Sequence, residues 1–385
     1  MVNSFLLKPL IWFRRLFLTF LLIFTVSMVP CMVYWFRTGS SRGLAEDALT
    51  DMAGVRIQVN NCTVNVENFL IFMISVDYQP DMEEEALKAF AVAARSSLYA
   101  HLNRYLQETA AADDGQETAA EMDAAAESDG EKQNYKTIHA DKIGVMYDEP
   151  AEMVCVFSEA AGLEGKEHWS DIYDYVKKAV EMTGGQYLVC TDKGRETEAA
   201  EAESVPVDVL WHGCSAGNTR FYEGNLTGQE DGISLYSPQL KSMDGKDGEF
   251  SRAVTITVYS RRELAQLLWE IPGTEDILEK EKILSSYITI ENRDSSGYIT
   301  EMSLGNREMT GEEAAQLLQV SSGCFYVSDL SDDSLKIVTF GIGRGYGMSL
   351  AGASAMALQG ADYREILEYY FPVCGVNNFT SLGTE

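Results

Sequence analysis

The chain has few basic residues and few histidines, and these shortages exclude several classes of partner. Its 385 residues include 30 Lys and Arg against 59 Asp and Glu, a formal net charge of -29, and four histidines. So acidic a surface repels nucleic acid and anionic lipid headgroups, and we expect neither as a partner. Hydrophobic residues make up 46% of the chain, which is ordinary for a globular protein with a full core.

Paired cysteines are also absent from the sequence. The seven cysteines are scattered and none forms a CxxC pair, so a zinc knuckle or a redox motif finds no support. His212 and Cys214 could both ligate a metal, but two ligands do not make a site. We therefore predict neither a metal nor a cofactor. Disulfide bonds stay open, because spacing alone cannot pair the cysteines.

One long apolar segment, residues 16–36, carries no charge and matches the length of a bilayer-spanning helix. Lys8, Arg14 and Arg15 precede it, which places the N-terminus in the cytoplasm. A cleaved signal peptide is the alternative, but its apolar region would be shorter and would end at a small-x-small site. The sequence thus predicts a single-pass cell-membrane protein with an extracytoplasmic C-terminal part, divided into a cytoplasmic tail (1–15), an anchor (16–36) and a linker (37–53).

Beyond the linker, strand and helix patterns follow each other without a repeat. Residues 55–59 alternate as a half-buried strand does, and Asp294-Ser-Ser-Gly297 separates two strand-like runs as a hairpin turn. This order predicts an α+β fold, a single large mixed domain over residues 54–372, followed by a tail over 373–385. Residues 107–135 are acidic and nearly free of large apolar side chains, and we predict a disordered insertion there.

Capping boxes, in which an Asp or Thr precedes a Glu by three residues, predict the starts of three helices. The pairs are Asp81 with Glu84, Thr310 with Glu313, and Asp362 with Glu365. The first of these helices carries apolar residues at helical spacing, namely Leu87, Phe90, Ala91, Ala94, Leu98 and Leu102. An amphipathic stretch, residues 169–182, predicts a further helix that ends at Gly184-Gly185.

Gly341-Ile-Gly-Arg-Gly-Tyr-Gly places a glycine at every second position between a predicted strand and a predicted helix. Such a loop allows positive φ angles and lets a ligand lie against bare backbone. The dinucleotide fingerprint has a different spacing, and no Walker lysine follows, so a nucleotide site is not supported. A tight packing crossover without a ligand is the alternative interpretation.

A second polar, glycine-containing loop, residues 212–220, follows an apolar run that predicts a strand over 207–211. A cysteine nucleophile is a weak interpretation, because side chains two residues apart on a strand rarely align as a dyad. We interpret this loop as a hydrogen-bonded wall of a cleft.

Four segments occur in a fixed order along the chain: Glu85-Ala-Leu-Lys-Ala-Phe-Ala-Val-Ala-Ala-Arg-Ser96, residues 212–219, residues 293–299 and residues 341–350. Together they resemble the catalytic domain of the stage II sporulation protein D family, bacterial enzymes that cut peptidoglycan glycan strands. In that family an apolar strand runs into Glu-Met-Pro ahead of the first helix. The resemblance therefore implies a strand over residues 69–76 and, counting back from Glu85, puts Asp77 at the position of the family's glutamate.

The resemblance implies lytic-transglycosylase-like chemistry, in which one carboxylic acid protonates the glycosidic oxygen and then takes the proton of the muramyl 6-hydroxyl. Asp77 would be this acid, on a stem one methylene shorter than the family's. Arg344 occupies the position of the family's glycine-flanked histidine. A cation near Asp77 would favour the ionised form of the Asp77 carboxylate. The implied glycan-binding residues are His212, Ser215, Gly217, Thr219, Gly343, Arg344, Gly345, Tyr346 and Ser349.

Two functions therefore stay open at the level of sequence, and whether the chain is an enzyme is undecided. One is a membrane-anchored, wall-facing protein that processes or binds glycan strands during the engulfment step of sporulation. The other is a non-catalytic scaffold, or an amidase-enhancer-type regulator, that binds peptidoglycan and recruits a wall amidase. The implied partners are glycan strands and other engulfment membrane proteins, including that amidase.

Overall fold

The computed structural model describes residues 55–59, 62–78, 82–113, 136–140, 166–190, 206–224, 235–244, 254–279 and 281–378. The predicted cytoplasmic tail, anchor and linker lie outside these residues, as do residues 114–135 of the predicted insertion. Within the described ranges, no helix combines the length and the apolar character that a bilayer span requires.

Helices and strands are interspersed along the described chain. The helices are α1 (Val66–Asp77), α2 (Glu84–Asp113), α3 (Lys166–Met182), α4 (Arg261–Leu267), α5 (Gly311–Leu317), α6 (Leu350–Leu358) and α7 (Tyr363–Tyr370), and a 3-10 helix covers Leu284–Tyr287. The strands are β1 (Val55–Val59), β2 (Cys62–Asn65), β3 (Lys136–His139), β4 (Gln186–Cys190), β5 (Trp211–His212), β6 (Tyr222–Gly224), β7 (Leu235–Ser237), β8 (Val254–Ser260), β9 (Ile288–Arg293), β10 (Ile299–Leu304), β11 (Arg307–Met309), β12 (Phe325–Ser331), β13 (Ser334–Phe340), β14 (Met348–Ser349) and β15 (Cys374–Asn378). The mixed α+β class is thus confirmed.

The apolar run before Asp77 is helix α1, so the strand that the resemblance implied there is wrong. The Asn65 side chain accepts a hydrogen bond of 2.7 Å from the Asn68 N–H and caps the helix start. Most residues from Val66 to Ser75 are buried. An apolar run of this length fits a strand or a helix equally well, and a helix that is apolar all round is stable only inside a core.

Helix α2 is the central element of the N-terminal half. The residues that we predicted as its apolar face, Leu87, Phe90, Ala91, Ala94, Leu98 and Leu102, all have no exposed surface. The helix packs against α1, α3, α6, α7 and β4. It continues to Asp113, which places residues 107–113 in a helix where we predicted disorder. Ala110 to Ala112 have the highest helix propensity of any residue type and extend the helix into the acidic stretch.

A buried ion pair joins α2 to α1, and further hydrogen bonds of its arginine reach α3 and β4. Arg95 of α2 is fully buried, and its guanidinium donates to both carboxylate oxygens of Glu67 on α1, at 3.0 Å each. It also donates to the backbone carbonyls of Val180, Thr183 and Gln186, at 3.0, 2.9 and 3.1 Å. Arg95 therefore ties α1 to the end of α3 and the start of β4.

The C-terminal half is built on two antiparallel sheets, β12-β13-β8 and β11-β10-β9. Leu335 and Ile337 of β13 face a core that they share with α4, α5 and β10. The predicted hairpin turn at residues 294–297 is confirmed, as are the capping boxes that start α5 and α7. Strand β15 pairs with β4, so residues 374–378 of the predicted tail belong to a sheet. Their Gly and Asn residues have low strand propensity, and backbone pairing holds them.

Candidate functional site

The two glycine-containing loops that we identified in the sequence lie side by side. Short strand β5 runs parallel to β14, with Trp211 opposite Met348 and His212 opposite Ser349. Beyond the strands, the Cys214 N–H donates to the Ile342 carbonyl at 3.1 Å, and the Ile342 N–H returns a bond of 2.8 Å. The Arg220 N–H donates to the Gly345 carbonyl at 2.8 Å. Residues 212–220 and 341–349 thus form one paired unit.

Positive φ angles occur at all four glycines of the 341–347 loop, as predicted. The values are +79° at Gly341, +92° at Gly343, +79° at Gly345 and +71° at Gly347. A Cβ at Gly347 would overlap the Leu210 carbonyl, and one at Gly345 would meet the Tyr298 ring. At these positions the missing side chains serve close packing of the loop against its neighbours.

His212 is a buried part of this unit, and its hydrogen bonds fix its tautomer. Its Nδ1 lies 2.9 Å from the Tyr346 carbonyl oxygen, and its Nε2 lies 2.9 Å from Ser215 Oγ. A carbonyl only accepts, so Nδ1 carries the proton and Nε2 accepts from the Ser215 hydroxyl. Ser215 has no exposed surface, so the pair holds the loop and offers no accessible nucleophile.

Burial lowers the pKa of the His212 imidazole, although the Tyr346 carbonyl and the Asp244 charge raise it in part. The unfolded chain therefore takes up a proton first, and His212 stabilises the fold fully above about pH 6.5 and less as the pH falls through that value. We expect the free energy of unfolding, measured by denaturant titration between about pH 7.5 and 5.5, to fall more steeply in the parent than in His212→Gln. Equal slopes in the two proteins would contradict this prediction.

Asp244 connects the two loops through buried hydrogen bonds. This role was not predicted from the sequence. Its buried carboxylate accepts the Ser215 N–H at 2.6 Å and the Ser349 hydroxyl at 2.9 Å. It also accepts the Ser242 hydroxyl and lies 3.5 Å from the Cys214 thiol. No motif surrounds Asp244 in the sequence, and its main partners lie 29 and 105 residues away along the chain.

Arg220 connects the loops to the 294–297 hairpin, and sequence reasoning did not assign it a role. Its buried guanidinium donates to Asp294 at 2.6 Å, to Glu312, and to the Arg344 carbonyl at 3.2 Å. The same group lies over the rings of Tyr346 and Tyr298, 4.2 and 4.8 Å from their centroids. Arg220 thereby fixes the backbone from which the Arg344 side chain extends.

Asp77 lies at the C-terminal end of α1, exposed to solvent, at the edge of this unit. The Trp211 indole N–H donates to its carboxylate at 2.8 Å. Trp211 directly precedes His212 and packs against Phe90 of α2, with ring centroids 5.2 Å apart. A donor to the carboxylate favours its ionised form.

The predicted site residues fall into two groups by exposure. Asp77 and Arg344 are exposed, and Gly217, Gly343 and Tyr346 are half-buried. The others, His212, Ser215, Thr219, Gly345 and Ser349, are buried. The buried residues maintain the shape of the two loops. The surface available to a ligand is therefore formed by the exposed and half-buried residues and by the exposed side chain of Ile342. Among the described residues, no group of three or more His, Cys, Asp or Glu side chains is placed to hold a metal.

The chain matches a known protein family over part of its first half. Residues 56–190 match the family model described as stage II sporulation protein, SpoIID. No curated protein matches the chain. The matched segment contains Asp77, helix α2 and the buried Arg95, and it ends before the loops at 212–220 and 341–349. The sequence resemblance to this family is thereby confirmed over these residues.

Proposed function

We propose that this sporulation protein acts at the cell wall by binding peptidoglycan glycan strands, with Asp77 as a fixed, ionised acceptor for sugar hydroxyls. The family match carries the coarser conclusion, a sporulation-related function at the cell wall. The observation behind the finer proposal is the 2.8 Å hydrogen bond from the Trp211 indole to an exposed Asp77 carboxylate.

The environment of Asp77 favours binding over acid catalysis. A general acid that works near neutral pH must keep its proton, which proteins arrange by burying the carboxyl group away from donors. Asp77 is exposed and receives an N–H, so both features favour the carboxylate. An ionised carboxylate accepts hydrogen bonds from hydroxyl groups and holds no proton for a glycosidic oxygen.

Cleavage is the second candidate, supported by the position of Asp77 beside the paired loops. The carboxylate is bonded to Trp211, which leads into these loops, and the loops carry a half-buried Gly343 and an exposed cation at Arg344. If the bound strand excluded water, the pKa of Asp77 would rise and the transglycosylase step would become possible. A carboxylate one methylene short, a shift of about 1 Å, can lower the rate about a hundredfold.

The setting of this activity is part of the proposal. We propose that residues 16–36 anchor the chain in the cell membrane, with the described residues on the wall side. The partners would be engulfment membrane proteins, including a wall amidase that the chain recruits or stimulates. These statements rest on the sequence and on the family match.

We expect the parent to bind purified, undigested glycan strands and to release no 1,6-anhydromuramyl products in muropeptide analysis. Asp77→Ala should weaken strand binding about tenfold to a hundredfold, because a charge-assisted hydrogen bond contributes about 1.5–3 kcal/mol. Trp211→Phe keeps the ring on Phe90 but removes the N–H, and should weaken binding less. Asp332→Asn, in an exposed turn between β12 and β13, is the matched control and should bind like the parent.

A second comparison separates binding from cleavage. Asp77→Glu combined with Arg344→His restores the family's residues at both positions. If the parent releases anhydromuramyl ends and Asp77→Asn abolishes them, cleavage replaces the binding proposal. Unchanged binding by Asp77→Ala would remove Asp77 from the site altogether.

A further inference from the structure

Trp269 is the most exposed large apolar side chain in the described ranges, with 76% of its surface accessible. It forms one wall of a groove of about 400 Å³, together with Arg262, Ala265, Gln266 and Leu278. Residues 262, 265, 266 and 269 are spaced three and four apart, so they share the outer face of α4 and the turn after it. Leu278, 62% exposed, supplies the opposite wall.

The groove is pre-formed, because buried groups fix both of its walls. The inner face of α4 carries Leu264 and Leu268, which have no exposed surface in the core. Buried Arg261 donates to the carbonyls of Ile277, Glu279 and Lys282 at 2.7, 2.9 and 2.8 Å. These bonds hold the segment that carries Leu278 against the start of α4. A rigid groove loses little conformational entropy when a partner binds.

Exposed carboxylates adjoin the groove along the chain, because Glu263, Glu270 and Glu279 each directly follow a residue that lines it. The exposed acidic residues of the surrounding segment are Glu263, Glu270, Glu275, Glu279 and Glu281. Among the described residues of the segment the exposed basic ones are Arg262 and Lys282, and Lys282 pairs with Asp276 at 2.7 Å. Lys280 adds one further positive charge in the sequence, which still leaves the carboxylates in excess. Backbone N–H groups lower the pKa of Glu275, and the Ser260 N–H and hydroxyl lower the pKa of Glu263. The rim therefore carries net negative charge at neutral pH, in a chain whose formal charge is -29.

We propose that this groove binds a basic amphipathic segment of a partner protein. One large apolar side chain of that segment would lie between Trp269 and Leu278, where it removes two exposed apolar groups from water. Lysine or arginine residues on either side would face Glu270 and Glu279 and would raise the rate of association. A second copy of this chain and an anionic polymer both carry the sign of charge that the rim repels. The surface is separate from the Asp77 site, and the proposal does not depend on glycan binding.

The test uses the purified full chain and three labelled helical peptides of equal length: Lys/Leu amphipathic, Lys/Ser and Glu/Leu. We expect the Lys/Leu peptide to bind, by fluorescence anisotropy, at least about tenfold more tightly than the other two. Trp269→Ala should weaken its binding about tenfold or more, as removal of a central aromatic anchor does. Glu270→Gln with Glu279→Gln should weaken binding and make it less sensitive to salt. Leu358→Ala removes a side chain on α6 that is 64% exposed and should leave peptide binding unchanged.

Several results would overturn the proposal. Equal binding of the Lys/Ser and Lys/Leu peptides would show attraction by charge alone, and unchanged binding by Trp269→Ala would place the peptide elsewhere. Self-association that disappears in Trp269→Ala, by sedimentation, would assign the groove to a second copy. Loss of glycan-strand binding in Trp269→Ala would assign it to the wall polymer. Trp269 is exposed, so thermal unfolding should show that its variant folds like the parent.

Discussion

Arg95→Met is expected to lower the free energy of unfolding by about 3–5 kcal/mol, because it leaves the Glu67 carboxylate buried without its partner. The parent pair has Arg95 fully buried and Glu67 almost so. Three backbone carbonyls, those of Val180, Thr183 and Gln186, would each also lose one donor. Denaturant unfolding of the full chain measures the change.

Two controls separate buried charge from lost packing. Lys178→Met removes an exposed ion pair with Glu84, 2.9 Å long, and should lower the free energy of unfolding by less than about 1 kcal/mol. Arg95→Met combined with Glu67→Leu leaves no buried charge and should recover part of the loss. If Arg95→Met and Lys178→Met lowered the free energy of unfolding equally, burial would not explain the contribution of Arg95 to stability.

Gly347→Ala is expected to disrupt the paired loops and to lower the free energy of unfolding by about 2–5 kcal/mol. Its φ of +71° disfavours any side chain, and an added Cβ would overlap the Leu210 carbonyl. That carbonyl accepts the Met348 N–H at 2.9 Å, next to the β5–β14 pair. A backbone shift here would move Trp211 relative to Asp77, so glycan-strand binding should fall with stability.

Gly360→Ala is the matched control for this prediction. Gly360 has a φ of +94°, and nothing lies within 4 Å of an added Cβ. Alanine there should lower the free energy of unfolding by only the conformational term, about 1–2 kcal/mol, and should leave strand binding unchanged. If the two alanine variants lost equal free energy of unfolding, the close approach of Gly347 to Leu210 would contribute nothing to stability.

Some residues of the site fix the two loops in place, and others extend their side chains into solvent. Asp244 and Arg220 hold the two loops through buried hydrogen bonds, while Asp77 and Arg344 reach solvent. Substitution of Asp244 or Arg220 should therefore lower both the free energy of unfolding and the affinity for glycan strands. Substitution of Asp77 should change binding while stability stays near that of the parent. Strand binding measured beside denaturant unfolding distinguishes these cases.

Features that depend on neighbours within a few residues could be predicted from the amino-acid sequence. The capping boxes at Thr310 and Asp362, the apolar face of α2 and the positive φ angles at Gly341 to Gly347 all appear as predicted. Each reflects a local hydrogen bond, a helical repeat or a missing Cβ, which the residue pattern specifies directly. The Asn65 cap was a local signal of the same kind, and it would have identified α1 as a helix.

Which groups meet at the site could not be predicted in this way, because they lie far apart along the chain. Trp211 lies 134 residues from Asp77, Ser349 lies 105 from Asp244, and Arg220 lies 74 from Asp294. Contacts between residues so far apart form when the packed core closes the chain around them, and no pattern within a window of neighbours encodes them. The family position of Asp77 could thus be read from the sequence. Its exposure and its indole donor, which favour a carboxylate over an acid, depend on the assembled fold.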